Sequence, residues 1–363
     1  MPHLPQARAF ALAQDLIAAQ PVPGLALAVA RPQEVVWQAA LGQSDLEFAV
    51  PARPDHLFRV GSVSKAVTAT LAARLVSRGM VELDTPISYW LADLPQPHRQ
   101  TTLAQLLTHR GGIRHYVPSD LDREQPGGPV MTRVSWTSAQ VLDAFIHDEL
   151  VAAPGTQVRY SSFGYSLAAL VLEAATGSSF LQLVAEEIAA PFALPSLRGD
   201  EPGQVIEGRA RGYMSARERQ MMVERFPETG RSPASGDWSC APNFNPAFCW
   251  AGAGLLMSAP DMARFGAAHC FGPHSRISEA ERALLFTPRT DKSDSSPSLG
   301  LGWRVDRDDR HRLRWHHAGA TPGGRAALVV YPALELSIAL ASNTMMAPGD
   351  VLTPASALAD LFA

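Results

Sequence analysis

What most constrains this chain is the placement of its β-forming sequence at the two ends, with helix-forming sequence between them. Residues 23–50 read as a hairpin: PGLALAVA, a polar break from Arg31 to Glu34, then VVWQAALG. Near the other end LGWRVD, HRLRWHH, RAALVVYP and ELSIALASN are short, β-branched or alternating, and separated by Gly, Pro and Asp. Strands of such different sequence position gain most by meeting in one sheet, which leaves the middle of the chain to form a helical lobe. The expectation is therefore an α/β (α+β) fold in a single domain, 1–363. Its approximate lobes are 1–65 plus 240–363 (α/β) and 66–239 (mainly helical), with a cleft where they join.

The middle carries helix signals in series. Residues 62–78 are apolar on nearly all faces and stop at Gly79, a residue suited to a left-handed C-terminal cap, so this helix is expected to be buried all round. Thr102 starts TLAQLLTH, which closes at Gly111-Gly112, and Thr137 to Gln140 form a capping box before VLDAFIHDEL. Ser161-Ser162 precede FGYSLAALVLEAATG, Ser178-Ser179 precede FLQLVAEEIAAPF, and Ser258 opens another helix through Pro260 and Asp261. The stretches 115–136 and 286–299 read as long loops at the rim of the cleft, and the charged segment 199–240 receives no element.

Bulk properties exclude several functions. A net charge of -4 and a pI near 6.3 give no electrostatic footprint for nucleic acid. No apolar run reaches the roughly 18 residues of a membrane span, and Pro2, Pro5, Gln6, Gln14 and Asp15 interrupt any secretory core near the start, so a cytoplasmic protein is expected, with a periplasmic or secreted one only for a trimmed chain. The three cysteines cannot build a framework of bridges; Cys240 and Cys249 are close enough in sequence to pair in an oxidising setting, and reduced thiols are expected. Neither Cys-x-x-Cys nor His-Glu-x-x-His occurs, so no metal is expected.

Within FRVGSVSKAV (58–67) stands one of only two lysines, Lys65; the other, Lys292, lies in a polar loop, and every remaining basic side chain is arginine. Lysine at 65, in an apolar helix and three residues after Ser62, marks a position that needs a titratable amine. Burial and cationic neighbours can bring an amine's pKa toward neutrality, whereas a guanidinium keeps its proton. One turn apart on one helix face, such an amine can take the proton of a serine hydroxyl and make it a nucleophile. Two further stretches supply partners. PGTQVRYSSFGY (154–165) sets Tyr160 at the mouth of a helix, where a phenol can relay a proton. WHHAGATPGG (315–324) reads as a polar, glycine-rich break between strands, whose small residues allow backbone N–H groups to approach a developing oxyanion.

In this order, Ser-x-x-Lys, Tyr-Ser-Ser and His-Ala-Gly resemble the three active-site motifs of the penicillin-recognising serine hydrolases, in the class C β-lactamase-like branch. That branch includes family VIII carboxylesterases, D-alanyl-D-alanine carboxypeptidases and the mitochondrial serine β-lactamase-like type. LVSRGMVELDTPISYWLADLP, TTLAQLLTHRGGIRHY and WAGAGLLMSAPDMARFG also resemble its landmarks in sequence order. The resemblance implies a β-lactamase/transpeptidase-like fold and a metal-independent serine hydrolase, without cofactor, that forms an acyl-enzyme on Ser62 from a small ester, β-lactam or peptide. A carboxypeptidase or β-lactamase proper, and a low-turnover sensor or filament-forming scaffold, remain alternatives, and oligomeric state is not readable. The roles implied are Ser62 as nucleophile, Lys65 as its base and Tyr160 as proton shuttle. Ser162, His317 and Gly319 would bind substrate, and the backbone N–H groups of Ser62 and Ala320 would form the oxyanion hole. Two departures stand out. Ser162 replaces the more usual Asn, and His317 replaces Lys, which weakens the positive charge offered to a substrate carboxylate at neutral pH. His109 is expected to be structural and His115 to line the cleft.

Overall fold

The computed structural model describes residues 4–117, 120, 137–225, 237–242, 245–290 and 297–363. Its centre is an eight-stranded sheet. In chain order its strands are β1 (Gly24–Ala30), β2 (Val35–Asp45), β3 (Val50–Pro51), β4 (Ser298–Leu299), β5 (Arg304–Arg307), β6 (Leu313–Thr321), β7 (Gly324–Tyr331) and β8 (Leu336–Ser342). Across the sheet the order is β3-β2-β1-β8-β7-β6-β5-β4, antiparallel at every pair. The two ends of the chain therefore meet at its middle, where β1 pairs with β8 from Leu25 opposite Ser342 to Ala30 opposite Ser337. The polar break at Arg31–Glu34 is the hairpin turn, closed by reciprocal backbone bonds of 2.8 and 3.2 Å between those two residues.

Both faces of the sheet are covered, which is why β1 and β8 are buried along their whole length. Leu25, Leu27 and Val29 of β1 point to one face with Val329, Ile338 and Leu340, and pack against Ala9 and Ala13 of helix α1 (Leu4–Ala19) and Leu358 and Ala359 of the C-terminal helix Leu352–Phe362. Ala26, Ala28 and Ala30 alternate with them onto the other face, against the helix Ala259–Ala267, in a core cluster that also takes in α2 (Ser64–Ser77). Large side chains on one face and alanines on the other let this second helix layer lie close to the strands. No single helix among the described residues is long and apolar enough to cross a membrane.

Three sequence expectations change in detail. The α-helix starts at Ser64, and Ser62 sits in a single 3₁₀ turn, Gly61–Val63, ahead of it. Gly61, at φ +51°, turns the chain sharply from the short strand Phe58–Arg59 into that helix. Residues 315–321 are not a break between strands: His317, Gly319 and Ala320 lie within β6, paired with β7 as far as Thr321 opposite Gly324, and the turn is Pro322-Gly323. The 199–240 segment contains strands in the nominally helical middle. Arg198–Gly199 pairs with Leu255–Met257, and Tyr213–Ser215 pairs with Trp238–Cys240. Of the two expected long loops, 118, 119, 121–136 and 291–296 lie outside the described residues. Gly79 takes the left-handed conformation expected of it, the capping box at Thr137 forms as read, and Thr102, read only as a helix start, makes one too. All three cysteines are free thiols.

Candidate active site

Three segments converge on Ser62. Lys65, one turn along on the same face, has no exposed surface, and its Nζ lies 3.3 Å from Ser62 Oγ, 2.9 Å from Ser162 Oγ and 2.7 Å from the Gly252 carbonyl oxygen. These partners are two hydroxyls and a carbonyl; among the described residues no carboxylate balances the amine. Burial accordingly lowers the Lys65 pKa from that of a free lysine, against an opposing pull from Tyr160. The phenol of Tyr160 donates to Ser62 Oγ at 2.7 Å. Withdrawal of its hydroxyl from water would by itself raise its pKa, but the charge of Lys65 and hydrogen bonding with Lys65 and Ser62 outweigh it, and the net shift is downward.

Tyr160 is held by what surrounds it in sequence. Ser161 caps the helix Ser162–Thr176, accepting from Gly164 N–H at 2.9 Å and donating to the Arg114 carbonyl at 2.8 Å. His109, in the left-handed region at φ +60°, grips the same segment on both sides of Tyr160. Its carbonyl accepts from Arg159 N–H at 2.7 Å, its Nδ1 accepts from Ser161 N–H at 3.2 Å, and its ring lies 4.3 Å from that of Tyr160. Burial, then the nearby charges of Lys65 and Arg304, hold its pKa well below 6.5, so it stays a neutral acceptor. The structural role expected of His109 is thus a specific one, fixing Tyr160. His115 accepts from Ser162 N–H at 3.3 Å and stands edge-on to Tyr160; burial and Lys65 bring its pKa down to about 4.

On the opposite side β6 lies directly against the 3₁₀ turn. A Cβ added at Gly319 would stand 2.0 Å from the Val60 carbonyl oxygen and 2.7 Å from Ser62 N, and one at Gly61 would stand 2.7 Å from Ala320 N. Only backbone fits there, and the approach sets the backbone at Ser62 close against that at Gly319 and Ala320. Gly319 therefore belongs to the construction of the site, without a side chain to offer. His317 is buried, with Nδ1 2.8 Å from the Ala318 carbonyl oxygen, and burial, then Arg304 and Lys65, keep its pKa well below 6.5. Ser162, expected at the substrate, has its hydroxyl on Lys65 and is 2% exposed.

Sequence reasoning missed two contributors. The turn Trp250–Gly254 anchors α2: Gly252 O receives Lys65, Ala251 O accepts from Thr68 at 2.7 Å, and Leu255 N–H donates to Ser64 Oγ at 3.2 Å. The family-like stretch WAGAGLLMS was a signal for it, though not for carbonyls. Arg304, whose charge acts on Lys65, Tyr160, His109 and His317, had no signal at all.

Residues 10–361 match the family described as Beta-lactamase. The chain is 23% identical over 402 residues to "Serine beta-lactamase-like protein LACTB, mitochondrial" of Mus musculus, which covers 85% of this chain and 69% of that protein. It is 33% identical over 186 residues to "Esterase EstB" of Burkholderia gladioli, covering 47% of this chain and 45% of the esterase. Among solved structures it resembles the D-amino acid amidase from Ochrobactrum anthropi SV3, with a TM-score of 0.80, 23% identity and 98% of each chain covered. With the fold and nearly the whole length matched, the chain belongs to the Beta-lactamase family.

Proposed function

We propose that this protein is a serine hydrolase that opens ester or amide bonds through an acyl-enzyme on Ser62. The observation that carries the reading is the contact of a wholly buried lysine, unpaired with any carboxylate among the described residues, with a serine whose Oγ also receives a tyrosine hydroxyl. A structural lysine at such a place would be expected to have a counter-charge.

The chemistry follows from the geometry. Neutral Lys65 takes the Ser62 proton as Oγ forms a bond to the substrate carbonyl carbon. The displaced electron pair settles on the carbonyl oxygen, which the N–H groups of Ser62 and Ala320 face. Collapse breaks the bond to the leaving group, which takes a proton through Tyr160. Water then enters, loses its proton to the same Lys65–Tyr160 pair, attacks the acyl carbon and releases the acid and Ser62. Ser162 serves by holding Lys65 toward Ser62, and His109 by holding Tyr160. Hydrolysis of esters by the similar esterase, and of amides by the similar amidase, supports both bond types for this chain.

Incubation with a fluorophosphonate followed by peptide mass spectrometry is expected to show one adduct, on Ser62, with p-nitrophenyl ester turnover lost in step. Ser62→Ala should abolish both, and unchanged labelling or turnover in that variant would overturn the assignment.

A further inference from the structure

Beside Tyr160 opens a cavity of about 210 Å³, lined by His109, Tyr160, Gly302, Trp303, Arg304 and His317 among others, with no acidic side chain among the described residues of its wall. The side chain of Arg304, half-buried at the start of β5, has no hydrogen bond or ion pair among the described residues. Other partly buried arginines are paired with carboxylates. Arg59 pairs with Asp200 at 2.7 Å, Arg114 with Asp120 and Asp148 at 2.9 and 2.7 Å. Asp306, two residues from Arg304, is taken by Arg314 through bonds of 2.7 and 3.1 Å, and lies 3.4 Å from His316. The histidines sharing the cavity, His109 and His317, are kept neutral, so among the described residues of its wall Arg304 is the permanent charge.

A guanidinium drawn from water without a partner is costly unless something that binds there completes it. Its planar fork matches a carboxylate through two parallel hydrogen bonds. Tyr160 lines this cavity and bonds to Ser62, so a group seated on Arg304 lies in the cavity walled by the side chain that touches the nucleophile. We propose that Arg304 anchors a free carboxylate of the substrate, so that the preferred substrates are esters or amides bearing a carboxylate. The charge that His317 does not supply comes from the neighbouring strand. This rests on the hydrolase reading above, and it makes Arg304 a specificity-determining residue.

The test uses two pairs of chromogenic esters differing only in charge. One pair, with the charge on the leaving group, is the acetate ester of a hydroxynitrobenzoic acid and that of its carboxamide. The other, with the charge on the acyl group, is the p-nitrophenyl ester of terephthalic acid and that of its monoamide. In at least one pair the acid is expected to exceed the amide in kcat/KM by about 10- to 100-fold. The ratio should fall toward one in Arg304→Gln, return in part in Arg304→Lys, and shrink in the unaltered protein as ionic strength rises. Ratios of one or less in both pairs, or a ratio unchanged in Arg304→Gln, would overturn the proposal. If Arg304→Gln does not fold, the Lys variant and the salt series decide: a ratio indifferent to both overturns it. Fluorophosphonate labelling separates the two readings. Ser62 labelled, with acid and amide turned over equally, removes only the role of Arg304. Ser62 unlabelled, with no ester turned over, removes the hydrolase reading and this proposal with it.

Discussion

An amine taken out of water gives up its proton more readily, and at Lys65 that effect is joined to a geometry that uses it, with Ser62 Oγ and Ser162 Oγ both in reach. The Lys65 pKa is depressed from 10.5, so the free base is populated at lower pH than in a free lysine. kcat/KM for a neutral ester is therefore expected to rise with pH, on a limb whose midpoint lies below 10.5; a midpoint at or above that value in a pH–rate profile would remove Lys65 as base. Lys65→Arg keeps the charge and removes the titration, and should lower kcat by about 10²- to 10⁴-fold. Steady-state kinetics with Ser62 labelling checks this, and near-normal turnover would refute the need for an amine. Ser62, Lys65 and Tyr160 were legible because each occupies a short motif with its own chemical logic, and the scarcity of lysine singled out one of them. The orientation of Ser162 was not legible: a hydroxyl at that position can face substrate or lysine, and the packing of Gly252 and Lys65 around it decides which.

At the scale of elements, two pieces of backbone make the site. The 3₁₀ turn at Gly61–Val63 and strand β6 approach until no side chain fits between them. Gly319→Ala places a methyl group on the Val60 carbonyl and Ser62 N, both backbone atoms with little freedom to yield. The strand must shift and the N–H groups of Ser62 and Ala320 separate; loss of one oxyanion donor costs about 10²–10³ in kcat. A loss of that order, with KM changed much less, is expected in ester kinetics, and a fully active variant would show that the close approach is not needed. Helix ends were readable in advance because capping is local: Ser161, Thr102, Thr137 and Ser258 each accept from a backbone N–H within their own first turn. The 3₁₀ turn and the continuation of β6 through His-Ala-Gly were not readable. Both depend on contact between segments more than 250 residues apart, and locally a polar, glycine-rich strand looks like a turn.

For the molecule as a whole, covering both faces of one sheet buries titratable groups along with apolar ones. His269, fully buried and bonded to Thr70 at 3.0 Å and to the Phe265 carbonyl at 2.7 Å, has its pKa lowered to about 4 by burial foremost. His109 and His317 are depressed in the same direction. As pH falls below 6.5 the unfolded chain takes up protons that the folded one refuses, so stability declines between pH 6.5 and about 4. His269 alone accounts for about 3 kcal/mol of that decline. Urea unfolding should show a falling midpoint across this window and a shallower fall in His269→Gln; equal slopes would remove His269 as a source. By itself the sequence determined the sheet-forming ends, the helical middle, the caps and the serine–lysine–tyrosine set, because each is written in local periodicity or in residue chemistry. Only the tertiary structure decided which hydroxyl holds Lys65, that β6 rather than a loop closes on Ser62, and that Arg304 enters the cleft. These are contacts between segments distant in the chain, and close packing, not local preference, sets them.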